Sequence, residues 1–327
     1  MKDFYYRRRV LITGGLGFIG SNLAIELVER GAQVTLLDSM LPAYGATLDN
    51  IASIRDQVRF NIADMRDEHS LPFLVRDQDV IFSLAGQVSH VDSMQQPLID
   101  LDINCRSQLS LLECCRRENP RVRLVLANTR QIFGRANCLP VNEEHPVAPT
   151  DVNGINKLAA EMYFMLYAQV YGMSTVSLRL TNTYGPRMDL NNPKKGFVGV
   201  FLRQALAGET IKVFGDGLQR RDFNYVSDVT RALTLAGETE AAAGQCFNLG
   251  HDEHFTLLEF LDKLTEHCPV RYECVAFPKE RRAIDIGDYY GDYTRFHDLT
   301  GWRPRVCLDE GLLRTISYFR HAFEPAA

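Results

Sequence analysis

The chain has 327 residues, is 46% apolar and 24% charged, and carries a formal net charge of −5. Its length exceeds that of a typical single domain, so two lobes sharing a cleft are expected. Acids and bases are interspersed, and the absence of a basic stripe excludes nucleic acid and anionic membrane from the expected partners. Arg7, Arg8 and Arg9 precede an apolar run that breaks at Gly14, too short for a signal-peptide core or a membrane span, so a cytoplasmic location is expected. The eight cysteines include the neighbours Cys114 and Cys115 but no CxxC pair. None sits near histidines at metal-ligand spacing, so reduced thiols and no metal site are expected.

The β-branched run Val10 to Thr13 predicts a strand that ends in three glycines, Gly14, Gly17 and Gly20, with a periodic helix behind them. Gly14 allows a tight turn, Gly17 lets backbone N–H groups approach a pyrophosphate, and Gly20 lets the helix pack closely on the strand. Phe18 and Ile19 open that helix, whose unpaired N–H groups and dipole favour phosphate. A second strand, Val34 to Leu37, ends in Asp38, placed to accept both ribose hydroxyls of an adenosine. An acid there repels a 2′-phosphate, so NAD is expected rather than NADP.

Gln57 to Ile62 and Asp79 to Ala85 predict further strands, and Leu98 to Arg117 a helix with apolar residues at Leu98, Leu101, Cys105, Leu109 and Leu112. Val122 to Ala127 predicts a strand, Lys157 to Tyr171 a helix and Thr175 to Leu180 another strand. This alternation predicts an α/β fold with a Rossmann-type, doubly wound parallel sheet. The helix at 157–171 is apolar nearly all round, through Met162, Tyr163, Phe164, Met165 and Tyr167, which predicts burial on two sides or a subunit interface. After Leu180 the texture changes to loops mixed with short elements. Residues 1–181, rejoined by about 225–251, are expected to form an NAD-binding domain. Residues 182–224 and 252–327 are expected to form a smaller α/β substrate lobe.

The segments TGGLGFIG, NIADMRD, FSLAG, NTRQIFG, NGINKLAAE, LRLTNTYGPR, VFGDGLQRRDFNYVSDV and GWRP together resemble the extended short-chain dehydrogenase/reductase family, specifically its nucleotide-sugar epimerases and dehydratases. The resemblance covers nearly the whole chain. It implies a nucleotide-diphosphate sugar as substrate, and a homodimer joined through the helices at 98–117 and 157–171. It further implies that Asp64 and Met65 meet the adenine of NAD and that Leu84, Ala85 and Gly86 line the cofactor's path past the fourth strand. Asn182, Arg221 and Arg282 are implied at the substrate's pyrophosphate and neighbouring ribose or sugar, a role suited to the planar donor fork of arginine. Lys194 and Lys195 read as a solvated pair.

The family's chemistry uses a Ser or Thr, a Tyr, and a Lys four residues after that Tyr. Thr129 matches the hydroxyl, Lys157 the lysine, and Asn104 the helix asparagine of the polar relay, but Asn153 stands where the tyrosine belongs. An amide is no general base at neutral pH, and loss of a positioned base costs about a hundred- to ten-thousand-fold. Arg130 and Gln131 follow Thr129 where related 4,6-dehydratases carry Asp and Glu, which disfavours that reaction in its usual form. Substitutes for the tyrosine are His90, in the loop after the fourth strand, then Cys105, Asp151 and Tyr184, or a water held between Asn153 and Lys157. The expected function is an NAD-dependent nucleotide-sugar epimerase working by transient hydride transfer, with Lys157 orienting the cofactor, Thr129 bonding the reacting hydroxyl, and Asn153 or an unidentified residue in place of the tyrosine. Two alternatives stay open: a catalytically silent binder of NAD and nucleotide sugar, or a nucleotide-sugar dehydratase or decarboxylase with a non-standard base.

Overall fold

The structure is a computed structural model that describes residues 3–41, 44–67, 69–192 and 194–323. Its strands in chain order are β1 (Arg9–Thr13), β2 (Gln33–Asp38), β3 (Arg59–Ile62), β4 (Val80–Ser83), β5 (Arg123–Thr129) and β6 (Ser174–Leu180). They continue with β7 (Asn182–Tyr184), β8 (Thr210–Phe214), β9 (Arg220–Tyr225), β10 (Gln245–Asn248), β11 (His254–Thr256) and β12 (Arg271–Val275). Seven of them make one sheet in the order β10-β6-β5-β4-β1-β2-β3, with every pairing parallel. The progression reverses between β1 and β4, and such a switch point leaves a crevice at the carboxyl ends of the strands.

The residues of the inner strands β1, β4, β5 and β6 are mostly buried on both faces, as a parallel sheet covered by helices requires. Val10, Ile12, Phe82 and Val125 point into one core, with Leu23 and Leu27 of the helix Phe18–Glu29 and Val229 and Leu233 of the helix Val226–Glu238. Leu11, Ile81, Leu124 and Leu126 point into the other, with Leu111, Leu112, Ala160 and Phe164. A separate core, centred on Tyr184, Phe201, Phe223, Phe260 and Leu312, lies among β7, β9, β11 and the helices Phe197–Leu206, Leu257–Thr265 and Leu308–Phe323.

The segment around Phe296 and Trp302 packs into the first core, although its place in the chain groups it with the second lobe. Trp302 Nε1 donates to Asp228 O at 2.9 Å, and the Asp228 carboxylate accepts from Arg305 N at 2.9 Å and Val306 N at 3.0 Å. Two motifs far apart in sequence, VSDV and GWRP, are thereby one joint. The helix Leu257–Thr265 opens with a reciprocal cap, in which Thr256 Oγ1 accepts from Glu259 N at 3.1 Å and Glu259 Oε2 from Thr256 N at 2.7 Å. Thr256→Ala is expected to cost about 1 kcal/mol, measured as a lowered urea midpoint at unchanged slope.

Two helices differ from the sequence expectation. The one expected at 98–117 is built from Pro97–Leu101, a π turn at Asp102–Arg106 and Ser107–Glu118. Leu98 and Leu101 face outward, while Asp100 and Asn104 are buried. The extra residue in the wide turn resets the helical register, and such turns recur at functional sites. The helix expected to begin at Lys157 begins at Val152, capped by Asp151 Oδ1 accepting from Gly154 N at 2.7 Å, which puts Asn153 in its first turn. Within the chain it buries one face, through Ala160, Phe164 and Tyr167, and leaves Ile155, Met162, Leu166 and Val170 exposed. No helix among the described residues is long and apolar enough to cross a membrane.

Candidate active site

The carboxyl ends of β1, β2, β4, β5 and β6 open into a cleft of about 390 Å³. Gly14, Gly17, Phe18, Ile19, Gly20, Asp38, Asp64, Met65, Leu84, Ala85 and Gly86 line it on one side, and His90, Thr129, Asn153, Lys157 and Asn182 line it elsewhere. Among the residues singled out from sequence, Asn104, Arg221 and Arg282 are not on its wall.

The glycine turn is built for close approach. Gly14 has φ +69°, and a Cβ on it would sit 2.8 Å from Ala85 N; a Cβ on Gly20 would sit 2.2 Å from Gly14 O. The helix Phe18–Glu29 starts with no side-chain cap, so its first N–H groups are left for a ligand. Asp38 is fixed at the end of β2 by Leu16 N and Met40 N, each donating at 3.0 Å, and burial raises its pKa against those bonds. A cradle that a Cβ would fill, an uncapped helix end and an acid closing the second strand together fit NAD. Asp64 is held by Arg66 through bonds of 2.6 and 2.9 Å, and that guanidinium keeps its carboxyl below the usual range.

At the other end, a Cβ on Gly86 would sit 2.9 Å from Asn104 Oδ1 and 3.2 Å from Lys157 Nζ, so Gly86 leaves room for these two groups. Burial lowers the pKa of Lys157, and the charge of Asp100 opposes that shift. The helix bearing Lys157 is pinned to the sheet by Glu161, which accepts from Arg179 Nη2 at 2.7 Å, Ser177 Oγ at 2.8 Å and Asn128 Nδ2 at 2.8 Å.

Asn153 belongs to a buried amide network. Its Nδ2 donates to Gln87 O at 2.8 Å and to Asp100 Oδ2 at 3.1 Å. Asn104 Nδ2 reaches the same two acceptors at 3.0 Å each, and Asn156 Nδ2 donates to Asp100 Oδ1 at 2.8 Å. The Asn153 amide nitrogen is therefore committed as a donor to Gln87 and Asp100. Asp100, Gln87 and Asn156 escaped the sequence reading. The signal available was spacing, with Asp100 and Asn104 at i,i+4 and Asn153 and Asn156 at i,i+3 on buried helix faces.

Thr129 Oγ1 accepts from Gln131 N at 3.2 Å, which leaves its hydroxyl hydrogen to donate into the cleft. Buried Gln131 donates through Nε2 to Asp151 Oδ2 at 2.9 Å. The same carboxylate oxygen lies 2.8 Å from His90 Nδ1, a close contact at an angle short of a straight hydrogen bond. Of the four side chains considered as substitute bases, only His90 lines the cleft. Asp151 is a buried helix cap, Tyr184 is buried in the separate core, and Cys105 is buried with its thiol pKa pushed up.

Arg130 Nη2 donates to Asn182 Oδ1 at 3.0 Å, and its guanidinium lies 5.5 Å from the Tyr289 ring centre. Arg221 is buried against Arg220 O at 2.8 Å, Gly287 O, and Asp285 at 3.6 Å, and burial brings its pKa down to about 10. Arg282 is exposed on the short helix Lys279–Ala283. The structure therefore does not bring these two arginines to the cleft wall. Lys194 and Lys195 are engaged, with Asp92 at 2.6 Å and Asp189 at 3.0 Å.

The model of the family described as GDP-mannose 4,6 dehydratase matches residues 11–315. The chain is 32% identical over 314 residues to a UDP-glucose 4-epimerase of Mycolicibacterium smegmatis, covering 96% of this chain and 99% of that one. It is 30% identical over 331 residues to UDP-glucuronic acid decarboxylase 1 of Danio rerio, covering 98% and 75%. The solved UDP-glucose 4-epimerase of Thermotoga maritima with UDP-glucose is 31% identical and superposes with a TM-score of 0.86 over 97% of this chain and 100% of that one. With the glycine turn, the terminal acid of β2 and Lys157 set around one cleft, the chain belongs to the GDP-mannose 4,6-dehydratase family of extended short-chain dehydrogenase/reductases, the NAD-dependent nucleotide-sugar epimerases and dehydratases.

Proposed function

We propose that this chain is an NAD-dependent nucleotide-sugar epimerase in which His90, backed by Asp151, does the work of the family tyrosine. The observation that carries this reading is the imidazole on the cleft wall with its Nδ1 against a buried carboxylate, while Asn153 is tied to Gln87 and Asp100. The names of the Mycolicibacterium and Thermotoga relatives support epimerisation. A UDP-glucose 4-epimerase of Thermus thermophilus, 30% identical, is solved as a complex with NAD. When bound, NAD supplies a hydride acceptor.

The protein's own groups divide the remaining work. The glycine turn and the N-terminus of the helix Phe18–Glu29 hold the dinucleotide phosphates, and Asp38 holds the adenosine ribose. Lys157 orients the nicotinamide ribose. Thr129 donates to the sugar hydroxyl, and His90 takes that hydroxyl's proton on Nε2. Asp151 favours the tautomer with Nδ1 protonated and stabilises the imidazolium that forms. NAD-loaded protein incubated with UDP-, GDP-, dTDP- and CDP-sugars is expected to yield an epimer, read by chromatography, with transient absorbance at 340 nm. Release of water or CO2 instead assigns a lyase, and tight binding with no conversion assigns a silent binder.

The exposed row Ile155, Met162, Leu166 and Val170, beside outward-facing Leu98 and Leu101, supports a homodimer paired through these helices. Met162 is 64% exposed, so Met162→Glu is expected to keep the fold and convert the dimer to monomer in sedimentation equilibrium at micromolar concentration.

A further inference from the structure

Arg130, at the sugar end of the cleft, has no ion-pair partner among the described residues. It follows Thr129 directly at the carboxyl end of β5 and lines the cleft wall. Its Nη2 has Asn182 Oδ1 as acceptor, but its Nε is buried with no acceptor, and no carboxylate among the described residues forms an ion pair with it. Asp222, whose field most offsets the burial of Arg130, makes no hydrogen bond to it; its carboxylate accepts from Thr181 Oγ1 and, at 2.9 Å, from Gly291 N. A second guanidinium, that of Arg221, lies near enough for the charge of Arg130 to depress its pKa further, and its acidic partner is Asp285 at 3.6 Å. Burying a guanidinium is costly unless an anion meets it, and its planar fork matches a carboxylate through two parallel hydrogen bonds.

We propose that the sugar of the substrate carries a carboxylate, as a hexuronic acid does, and that Arg130 pairs with it. This rests on the nucleotide-sugar reading, which sets the reacting hydroxyl at Thr129. The neighbouring side chain on the same strand end then reaches a substituent of the same ring. The hydrogen bond to Asn182 and the face of Tyr289 hold the guanidinium in place before the sugar arrives, so little order is lost on pairing.

The test is calorimetric titration of NAD-loaded protein with UDP, UDP-glucose and UDP-glucuronate, for the wild type, Arg130→Gln and Arg130→Lys. Wild type is expected to bind UDP-glucuronate about tenfold or more tighter than UDP-glucose, as a charge-assisted pair supplies. Arg130→Gln is expected to erase that preference and change the affinity for UDP and UDP-glucose by less than about threefold, while Arg130→Lys keeps part of the preference. Wild type that binds both sugars equally overturns the proposal without any variant having to fold. Equal weakening of all three ligands in Arg130→Gln also overturns it and assigns the guanidinium to the diphosphate. The same glucose and glucuronate pair is titrated on GDP, dTDP and CDP where UDP does not bind, and read in the same way; if no ligand of any of the four bases binds to wild type, the nucleotide-sugar reading falls and takes this proposal with it.

Discussion

Replacing His90 by glutamine is expected to lower turnover by about a hundred- to ten-thousand-fold, the usual cost of losing a positioned acid–base group. Glutamine keeps a polar side chain of similar reach but cannot accept the proton of a sugar hydroxyl. The loss should fall on chemistry and not on folding, because the His90 side chain is 38% exposed and its side-chain partner is Asp151. NAD affinity and melting temperature should match wild type, and kcat from single-turnover chromatography should carry the whole change. Asp151→Asn should be milder. The amide oxygen still caps Gly154 N, so the helix start survives, but the negative charge that stabilises an imidazolium is gone. Unchanged turnover in His90→Gln would remove the histidine from the mechanism and leave a water beside Lys157 as the proton acceptor.

Asp100→Ala is expected to cost about 3 kcal/mol of folding free energy, read from denaturant midpoints. Three buried hydrogen bonds, from Asn104, Asn153 and Asn156, are lost at once, at about 1 kcal/mol each, while Asn104 and Asn153 keep Gln87 O as acceptor. A second effect reaches the cofactor. Burial already lowers the pKa of Lys157, and the Asp100 carboxylate is the charge that opposes this shift. Without it the ammonium loses its proton at lower pH than in wild type. A cation that holds the nicotinamide ribose is present below its pKa and lost above it, so NAD affinity in the variant should begin to fall at lower pH as the solution is made alkaline. Titration of NAD binding against pH measures this. A variant whose affinity follows the wild-type curve at every pH would show that Asp100 only supports the fold.

These two carboxylates mark the limit of what the sequence discloses. The glycine turn was legible because its constraint is local: Gly14 and Gly20 lack room for a Cβ against backbone close by in the chain or on the adjoining strand. The strands were legible for the same reason, since apolar β-branched runs of four to seven residues suit only a sheet covered on both faces. Asp100 was hidden by the π turn at Asp102–Arg106, which breaks the 3.6-residue period used to assign faces and turns Leu98 and Leu101 outward. Arg221 was legible as a family residue, yet its guanidinium folds back on Gly287 and Asp285, a choice set by a loop distant in sequence.

The sequence by itself determined the parallel α/β sheet, the NAD-type turn with Asp38, the presence of Lys157 and Thr129, and the departure at Asn153, because each follows from neighbouring residues through sterics, periodicity or identity. Only the tertiary structure decided what surrounds the departure. It joins the end of the helix cap at Asp151 to His90 in the loop after β4, and it surrounds Asp100 with amides from two helices. Contacts between segments so far apart in the chain depend on the order of strands in the sheet and on where each helix starts. Those are properties of the packed core as a whole, and no single stretch of residues specifies them.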